Sequence, residues 1–407
     1  MSISSKRIGL IVTGGIAAYK ICYLVRQIRA SGGNAIITMT YAATKFITPL
    51  SLATLSGNPV NCELFPQVSH QNPIHLEIAN DCDILIVAPA TASFIGKLAN
   101  GIPDDLATCV AMAFGGKTIL APAMNPRMWE NPAVQANVAT LTERGIKFVG
   151  PDEGEMAGVN EEAGLGRMSE PEVIFENLLK HIEDQPLLDG YKVLITSGPT
   201  REKIDPVRYV SNYSSGKMGN ALANQAFRMG AEVTMVRGKG CTVPPALAAN
   251  VIDVDSAAEM FSAVKQEFVD TDLLVLTAAV ADWTVDSPAV EKLKKSDGAP
   301  SISWQATDDI AHWAGLNRNK QVLVGFALEN SNHHARADKK LKDKKIDLIA
   351  LNDTTQHHSE FGGDSTQLTI FSNDNQPKQL PVGTKQEAAR KLLEIAAGYL
   401  PEKHHSG

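Results

Sequence analysis

A short loop of small residues, Thr13-Gly14-Gly15-Ile16-Ala17, ends an apolar run and opens a helical pattern. Small residues let the backbone approach an anion, and the N–H groups at a helix start can hold a phosphate. Further along, His75 stands in Pro73-Ile-His-Leu-Glu77 and Asn125 in Pro122-Ala-Met-Asn-Pro-Arg-Met-Trp129. A lone His is more often structural than catalytic, and an Asn beside Pro is on average a turn former. Neither carries a function alone. In the second half, Ser214, Ser215 and Gly216 directly precede Lys217 and form a second phosphate cradle, to which Arg208 and Lys217 bring positive charge. Lys292 lies in Glu291-Lys-Leu-Lys-Lys295, which by itself reads as a solvated charge run.

The elements that must position these residues follow one grammar used twice. Ile8 to Val12 is continuously apolar, as a strand covered on both faces should be. Ala17, Ile21, Leu24, Val25 and Ile28 repeat at helical spacing, Gly32 and Gly33 stop that helix, and Ala35 to Thr40 read as the next strand. The unit recurs from Tyr191: a strand ending in Ser197-Gly-Pro199, a helix from Lys217 to Met229 capped by Gly230, and a strand from Ala231. Apolar runs at Ile84–Ala88, Thr118–Ala121, Leu273–Ala278, Val322–Phe326 and Ile346–Leu351 extend the pattern. The spacing predicts an α/β chain of two doubly wound, mostly parallel, Rossmann-like domains. The Pro/Gly-containing segment 184–190 is the expected boundary, giving domains 1–186 and 187–407. Ligands in such sheets bind at the carboxyl ends of the strands, where these loops fall.

Composition narrows the class. With 407 residues, 44% hydrophobic and 20% charged, the chain can bury two cores and is not disordered. A net charge of −7 gives no basic field for nucleic acid. No run reaches the roughly 18 apolar residues of a membrane span. The start, Met1 to Arg7, leads into an apolar stretch too short for a secretion signal. Five scattered cysteines without a CxxC pair point to neither disulfides nor zinc, and a reducing cytoplasm is the expected compartment.

Taken together, the Gly14-Gly-Ile-Ala17 loop, Pro89-Ala-Thr91-Ala and Pro122-x-Met-Asn-x-x-Met-Trp129 resemble the homo-oligomeric flavin-containing cysteine decarboxylases, above all the phosphopantothenoylcysteine decarboxylases, over about residues 5–180. The resemblance implies an FMN contacted by Gly14, Gly15, Ile16, Ala17, Thr40 and Thr91. It implies oxidation of the substrate thiol-bearing carbon to a thioaldehyde, which makes loss of CO₂ easy. It makes His75 the residue that removes a proton beside the flavin, and Asn125 the one that hydrogen-bonds the substrate carboxylate. One departure stands out. The family's flap carries a Cys that protonates the enethiolate, whereas here Glu155-Met-Ala-Gly-Val-Asn-Glu-Glu-Ala-Gly-Leu-Gly-Arg-Met168 has Gly158 or Val159 at that position. Glu161, Glu162 or solvent is expected to serve instead.

The second half resembles the phosphopantothenate–cysteine ligases over about residues 190–398, through Asp205-Pro-Val-Arg-Tyr-Val-Ser-Asn-Tyr-Ser-Ser-Gly-Lys-Met-Gly219, Ala278-Ala-Val-Ala-Asp282, Glu291–Lys295, Gly325–Glu329 and Asn352-Asp353. The resemblance implies CTP-dependent joining of cysteine to phosphopantothenate through an acyl-cytidylate, with Mg²⁺ accompanying the triphosphate; its protein ligands are not readable. It assigns Lys292 to acyl-cytidylate formation, Asn212 to the second step and Arg208 to a neighbouring role. Ala278, Ala279, Val280, Asp282, Lys292, Thr307, Asp308, Asp309, Ile310, Phe326, Lys340 and Lys344 fall at nucleotide-pocket positions, with Thr307-Asp-Asp-Ile310 replacing the family's Asn-Pro-Asp-Ile. It also implies trimers of the flavin half and dimers of the ligase half. The competing readings are a ligase with an impaired flavin half, a flavin-binding regulatory or scaffold protein, and a dinucleotide-dependent dehydrogenase. The last is opposed by the missing G-x-G-x-x-G.

Overall fold

The computed structural model describes residues 3–65, 72–158, 163–183, 186–244, 246, 249–298, 300–329, 333–353, 363–373 and 376–403. The chain divides into two compact units, Met1–Asp184 and Gln185–Gly407. In the first, the apolar runs become β1 (Arg7–Val12), β2 (Asn34–Met39), β3 (Val60–Asn61), β4 (Ile84–Ala90), β5 (Thr118–Pro122) and β6 (Lys147–Phe148). They form one parallel sheet in the order β3-β2-β1-β4-β5-β6. Side chains alternate between its faces. Ile8, Leu10 and Val12 join the core under the helices Ile21–Ala30 and Pro171–Ile182, while Ile11 joins the core under Ala92–Ala99 and Leu106–Ala113. A small antiparallel hairpin, β7 (Asp152–Gly154) and β8 (Gly164–Arg167), follows β6.

The second unit opens with β9 (Lys192–Ser197) and a hairpin of β10 (Arg201–Lys203) and β11 (Tyr209–Ser211). Then come β12 (Glu232–Gly238), β13 (Asn250–Val254), β14 (Leu273–Leu276), a hairpin of β15 (Trp283–Val285) and β16 (Trp304–Ala306), β17 (Val322–Glu329) and β18 (Leu348–Asp353). The sheet order is β13-β12-β9-β14-β17-β18, extended by β20 (Leu368–Ser372) and β21 (Lys378–Gln379); β19 (Ser365–Thr366) and β22 (Gly383–Thr384) form a separate short pair. Both units therefore reverse strand order beside their first strand, between β1 and β4 and between β9 and β14, which is where an α/β sheet opens its crevice. β20 and β21 run antiparallel, so the second sheet is mixed at one edge. Alternation again loads both faces: Val193 and Ile195 belong to one core, Leu194 to the other.

All five cysteines are free. No helix among the described residues is long and apolar enough to cross a membrane.

The start of β9 is tied down by Asp272, whose side chain is 4% exposed. It accepts from the Lys192 N–H at 2.9 Å and from Lys403 Nζ at 2.6 Å, with Lys320 Nζ 3.4 Å away. Burial alone would raise its carboxyl; these donors outweigh burial and lower it. A carboxylate held down in the folded state adds stability above its unfolded pKa of about 3.9. Asp272→Asn is accordingly expected to cost about 1–3 kcal/mol at pH 7. The cost should persist down to about pH 4 and shrink below it, as the native carboxylate itself takes a proton. Urea midpoints of the second unit for both proteins at several pH values read this out; a difference that does not change with pH would contradict it.

Candidate functional site

In the first unit a cavity of about 930 Å³ opens at the switch point. Its wall contains Gly14, Gly15, Ile16, Ala17, Thr40 and Thr91, which are the six expected flavin contacts, together with Met124, Asn125 and Met128. Thr13 and Thr91 stitch its floor: Thr13 Oγ1 donates to the Pro89 carbonyl at 2.6 Å and accepts from the Thr91 N–H at 3.2 Å. Thr91 then caps the helix Ala92–Ala99 through the Phe94 N–H. Asn125 caps the short helix Pro126–Trp129, its Oδ1 accepting from the Arg127 N–H at 3.0 Å. The turn-forming tendency of Asn beside Pro thus fixes the amide at the cavity wall.

His75 is not on that wall. It is half-buried in the helix Ile74–Asp81, whose Ile74 and Ile78 pack into the core with Phe94 and Val110. The described part of one chain therefore does not bring His75 and Asn125 into the same cavity.

The wall also holds residues that sequence reasoning missed. Lys20 lines it although 8% exposed, and its Nζ lies 2.9 Å from Glu170 Oε1. Arg167, also on the wall, pairs with the same Glu170. Burial would raise the Glu170 carboxyl, but the two cations outweigh it and hold it low. In the sequence Arg167 stands only as part of the flap segment Glu155–Met168. Glu155 and Met156 reach the wall from the hairpin stem. Glu161 and Glu162, the expected replacement acids, lie outside the described residues, as does Val159.

In the second unit the ends of β9 and β14 run on together. The Ala279 N–H donates to the Gly198 carbonyl at 2.9 Å, and Thr277 Oγ1 donates to the Thr196 carbonyl at 2.6 Å. The loop they shape, Ala278–Asp282, is the hub of the expected nucleotide positions. Asn212 Nδ2 donates to the Val280 carbonyl at 3.0 Å, Thr307 Oγ1 to the Ala281 carbonyl at 2.6 Å, and the Thr307 N–H to the Asp282 carbonyl at 3.1 Å. Asp309 caps the helix Ile310–Asn317 through the His312 N–H and pairs with Lys344 Nζ at 2.9 Å. Ile310 is buried in the core that also holds Leu341 and against which Val280 packs, while Asp282, Asp308 and Lys292 are exposed and Lys340 half-buried. Phe326 stands apart: it packs on the other face of the sheet with Val324 and Leu348, so its ring does not join Ile310.

Between the end of β9 and the helix Lys217–Arg228 the chain forms the β10–β11 hairpin. Its turn carries Arg208, and Arg208 Nε donates to Asp205 Oδ2 at 2.8 Å while Nη2 donates to the Leu293 carbonyl at 2.6 Å. Burial would raise the Asp205 carboxyl, but the N–H groups of Val207, Arg208 and Leu293 and the Arg208 side chain hold it far below the usual carboxylate range. The cradle itself is tight: Ser197 Oγ donates to the Gly216 carbonyl at 3.3 Å, and a Cβ placed on Gly219 would fall 2.3 Å from Ser197 Oγ.

Two sheets that share the strand order of their first six strands, each with polar loops gathered at its switch point, define a two-domain α/β enzyme whose first half holds a cavity of about 930 Å³. The flavoprotein family matches residues 1–183, and the C-terminal domain of DNA/pantothenate metabolism flavoproteins matches residues 188–399. The coenzyme A biosynthesis bifunctional protein CoaBC of Bacillus subtilis is 40% identical over 398 residues, covering 97% of this chain and 98% of its own length. The Escherichia coli K12 protein of the same name is 38% identical over 408 residues, covering 99% and 100%. A crystal structure of a CoaBC C-terminal domain is 38% identical and covers 52% of this chain and 97% of its own, with a TM-score of 0.45. The chain belongs to the CoaBC family of coenzyme A biosynthesis enzymes. It is a bifunctional flavoprotein with a decarboxylase and a ligase activity, and none of the competing readings (a ligase with an impaired flavin half, a scaffold protein, a dehydrogenase) is favoured.

Proposed function

We propose that residues 187–407 join cysteine to phosphopantothenate using CTP, and that residues 1–186 decarboxylate the resulting phosphopantothenoylcysteine to phosphopantetheine using FMN. The observation that carries most weight is that all six expected flavin contacts and Asn125 line one cavity. The fit is chemical as well as spatial. A loop of small residues at a helix start suits the FMN phosphate, and Ile16, Phe94, Met124 and Met128 offer apolar surface to its ring.

In the ligase step a phosphopantothenate carboxylate oxygen attacks the α-phosphorus of CTP and pyrophosphate leaves. The cysteine amine then attacks the acyl carbon and CMP leaves. Negative charge grows on phosphoryl oxygens in the first step, so fixed cations such as Lys292 stabilise it. Mg²⁺ enters with the triphosphate. Asn212, held by the Ala278–Asp282 loop, handles the acyl-cytidylate. In the decarboxylase half, a bound FMN would supply a reversible two-electron exchange: oxidation of the thiol-bearing carbon, which lets CO₂ leave, and then return of both electrons to the enethiol, which with a proton gives phosphopantetheine. Asn125 holds the substrate carboxylate, the apolar wall excludes water, and His75 takes the proton.

Because His75 does not line the cavity formed by the described residues of its own chain, the flavin half works as a homo-oligomer in which a second copy brings it. Tyr41, Phe46, Leu50 and Leu76 leave 75%, 48%, 75% and 42% of their surface exposed, apolar area that a subunit contact would cover. The expected forms are trimers of the flavin half and dimers of the ligase half, in the cytoplasm.

The test is an assay of the purified chain with phosphopantothenate, cysteine and CTP, following pyrophosphate and CO₂ separately and reading flavin absorbance. Equal yields of both are expected, with CO₂ alone when phosphopantothenoylcysteine is supplied. Pyrophosphate without CO₂ would instead establish a ligase with an impaired flavin half.

A further inference from the structure

We propose that Asp205 is a positioning residue for nucleotide activation, a buried carboxylate that clips the segment bearing Lys292 to the turn bearing Arg208. This rests on the reading above, in which Lys292 serves acyl-cytidylate formation.

The turn between β10 and β11 is a surface feature: Val207 is 60% exposed and the Arg208 side chain 46%. The Asp205 side chain in the same turn is 0% exposed. Its two oxygens are shared between two chain segments. Oδ1 accepts from the Val207 and Arg208 N–H groups, both at 2.8 Å, which closes the turn. Oδ2 accepts from Arg208 Nε at 2.8 Å and from the Leu293 N–H at 3.2 Å, which crosses to the other segment. Arg208 Nη2 completes the bridge by donating to the Leu293 carbonyl at 2.6 Å. Leu293 is thus gripped through both its N–H and its C=O. A second tie holds the segment at its start, where the Ala289 N–H donates to the Ile204 carbonyl at 2.9 Å.

Between these ties run Val290, Glu291 and Lys292, all exposed and outside any helix or strand, with Val290 90% exposed. Nothing in that stretch contributes a core contact that would hold it. Its geometry is therefore set by its two ends, and Lys292 is one peptide from the stronger end. A cation that must meet developing charge on a phosphoryl oxygen works only from a fixed place, and a misplacement of about 1 Å can cost about 100-fold in rate. Asp205 is too deeply covered to touch a substrate, so it acts through Lys292 and Arg208.

Asp205→Asn keeps the Oδ1 acceptor and the turn but sets an NH₂ against the Leu293 N–H and the Arg208 guanidinium. In the full-length protein, kcat for pyrophosphate release should fall about 10- to 100-fold while the KM for CTP stays within about threefold. Amide hydrogen exchange should quicken at 289–293 while β9 and β14 stay protected. Lys292→Ala, assayed in parallel, distinguishes loss of the clip from loss of the lysine it positions. If Lys292→Ala is inactive and Asp205→Asn turns over within about twofold of the parent, the clip has no catalytic role. If Asp205→Asn loses activity with β9 and β14 exchanging faster too, Asp205 is merely structural and the proposal is overturned. If Lys292→Ala releases pyrophosphate normally, the underlying reading fails, and the role given to Asp205 goes with it.

Discussion

Lys292→Ala should stop pyrophosphate release from CTP almost completely, by about 1,000-fold or more, which corresponds to about 4 kcal/mol of transition-state stabilisation. The side chain is exposed, so the loss cannot come from a damaged core. Exposed substitutions away from special features usually move stability by no more than about 0.5 kcal/mol. The melting temperature should therefore be unchanged, and CO₂ release from supplied phosphopantothenoylcysteine should remain at the parent rate. Activation places new negative charge on the α-phosphoryl group, and an ammonium fixed beside it is worth most at that instant. The neighbours Lys294 and Lys295 are also exposed cations, so the experiment discriminates a placed charge from a charge run. Ordinary CTP turnover by the variant would return Lys292 to the solvated surface.

The second large effect is expected at Gly166, buried in β8. A Cβ there would stand 2.2 Å from the Met124 carbonyl oxygen, 3.1 Å from the Pro126 nitrogen and 3.3 Å from the Asn125 carbonyl carbon. All three are backbone atoms, so no side chain can swing away. The Gly166 carbonyl already accepts from the Met124 N–H at 3.0 Å, which shows how closely the two strips run. Gly166→Ala must push them apart by about 1 Å, carrying Asn125 off the cavity wall, at a cost of about 100-fold in decarboxylation. Bound flavin should fall as well, whereas pyrophosphate release should not change. A variant that stays fully yellow and releases CO₂ at the parent rate would disprove the dependence.

The elements that sequence made legible are those whose pattern is local. Ile8 to Val12 reads as a doubly covered strand and forms β1; Lys217 to Met229 reads as a helix and is one over Lys217–Arg228. The parallel pairing of most strands follows from their alternation with helices, whereas the strand order was not legible in it. Less visible were the short hairpins. β10 and β11 are three residues each, and their pairing depends on partners the local spacing does not announce. The antiparallel edge of β20 and β21 escaped for the same reason. At the sites, Gly14, Gly15 and Asn125 stood out because small loops and Asn beside Pro have known uses. Lys20 and Glu170 did not, because a cation and a carboxylate 150 positions apart give no local sign that they will meet. Asp205 was hidden similarly: its partner Leu293 is an ordinary apolar residue that contributes only its main chain.

The contact between Gly219 and Ser197 constrains descent. The first turn of the helix Lys217–Arg228 touches the end of β9 so closely that an added Cβ on Gly219 would meet Ser197 Oγ at 2.3 Å and its Cβ at 2.5 Å. An alanine at 219 requires that Ser197 first be traded for glycine, and even then Thr277 Oγ1, 3.1 Å from the added Cβ, must give by a few tenths of an ångström. The reverse sequence of changes passes through a cradle pried off its sheet. Lineages can leave this arrangement through one door, and the present pair should therefore be inherited together or replaced in that order.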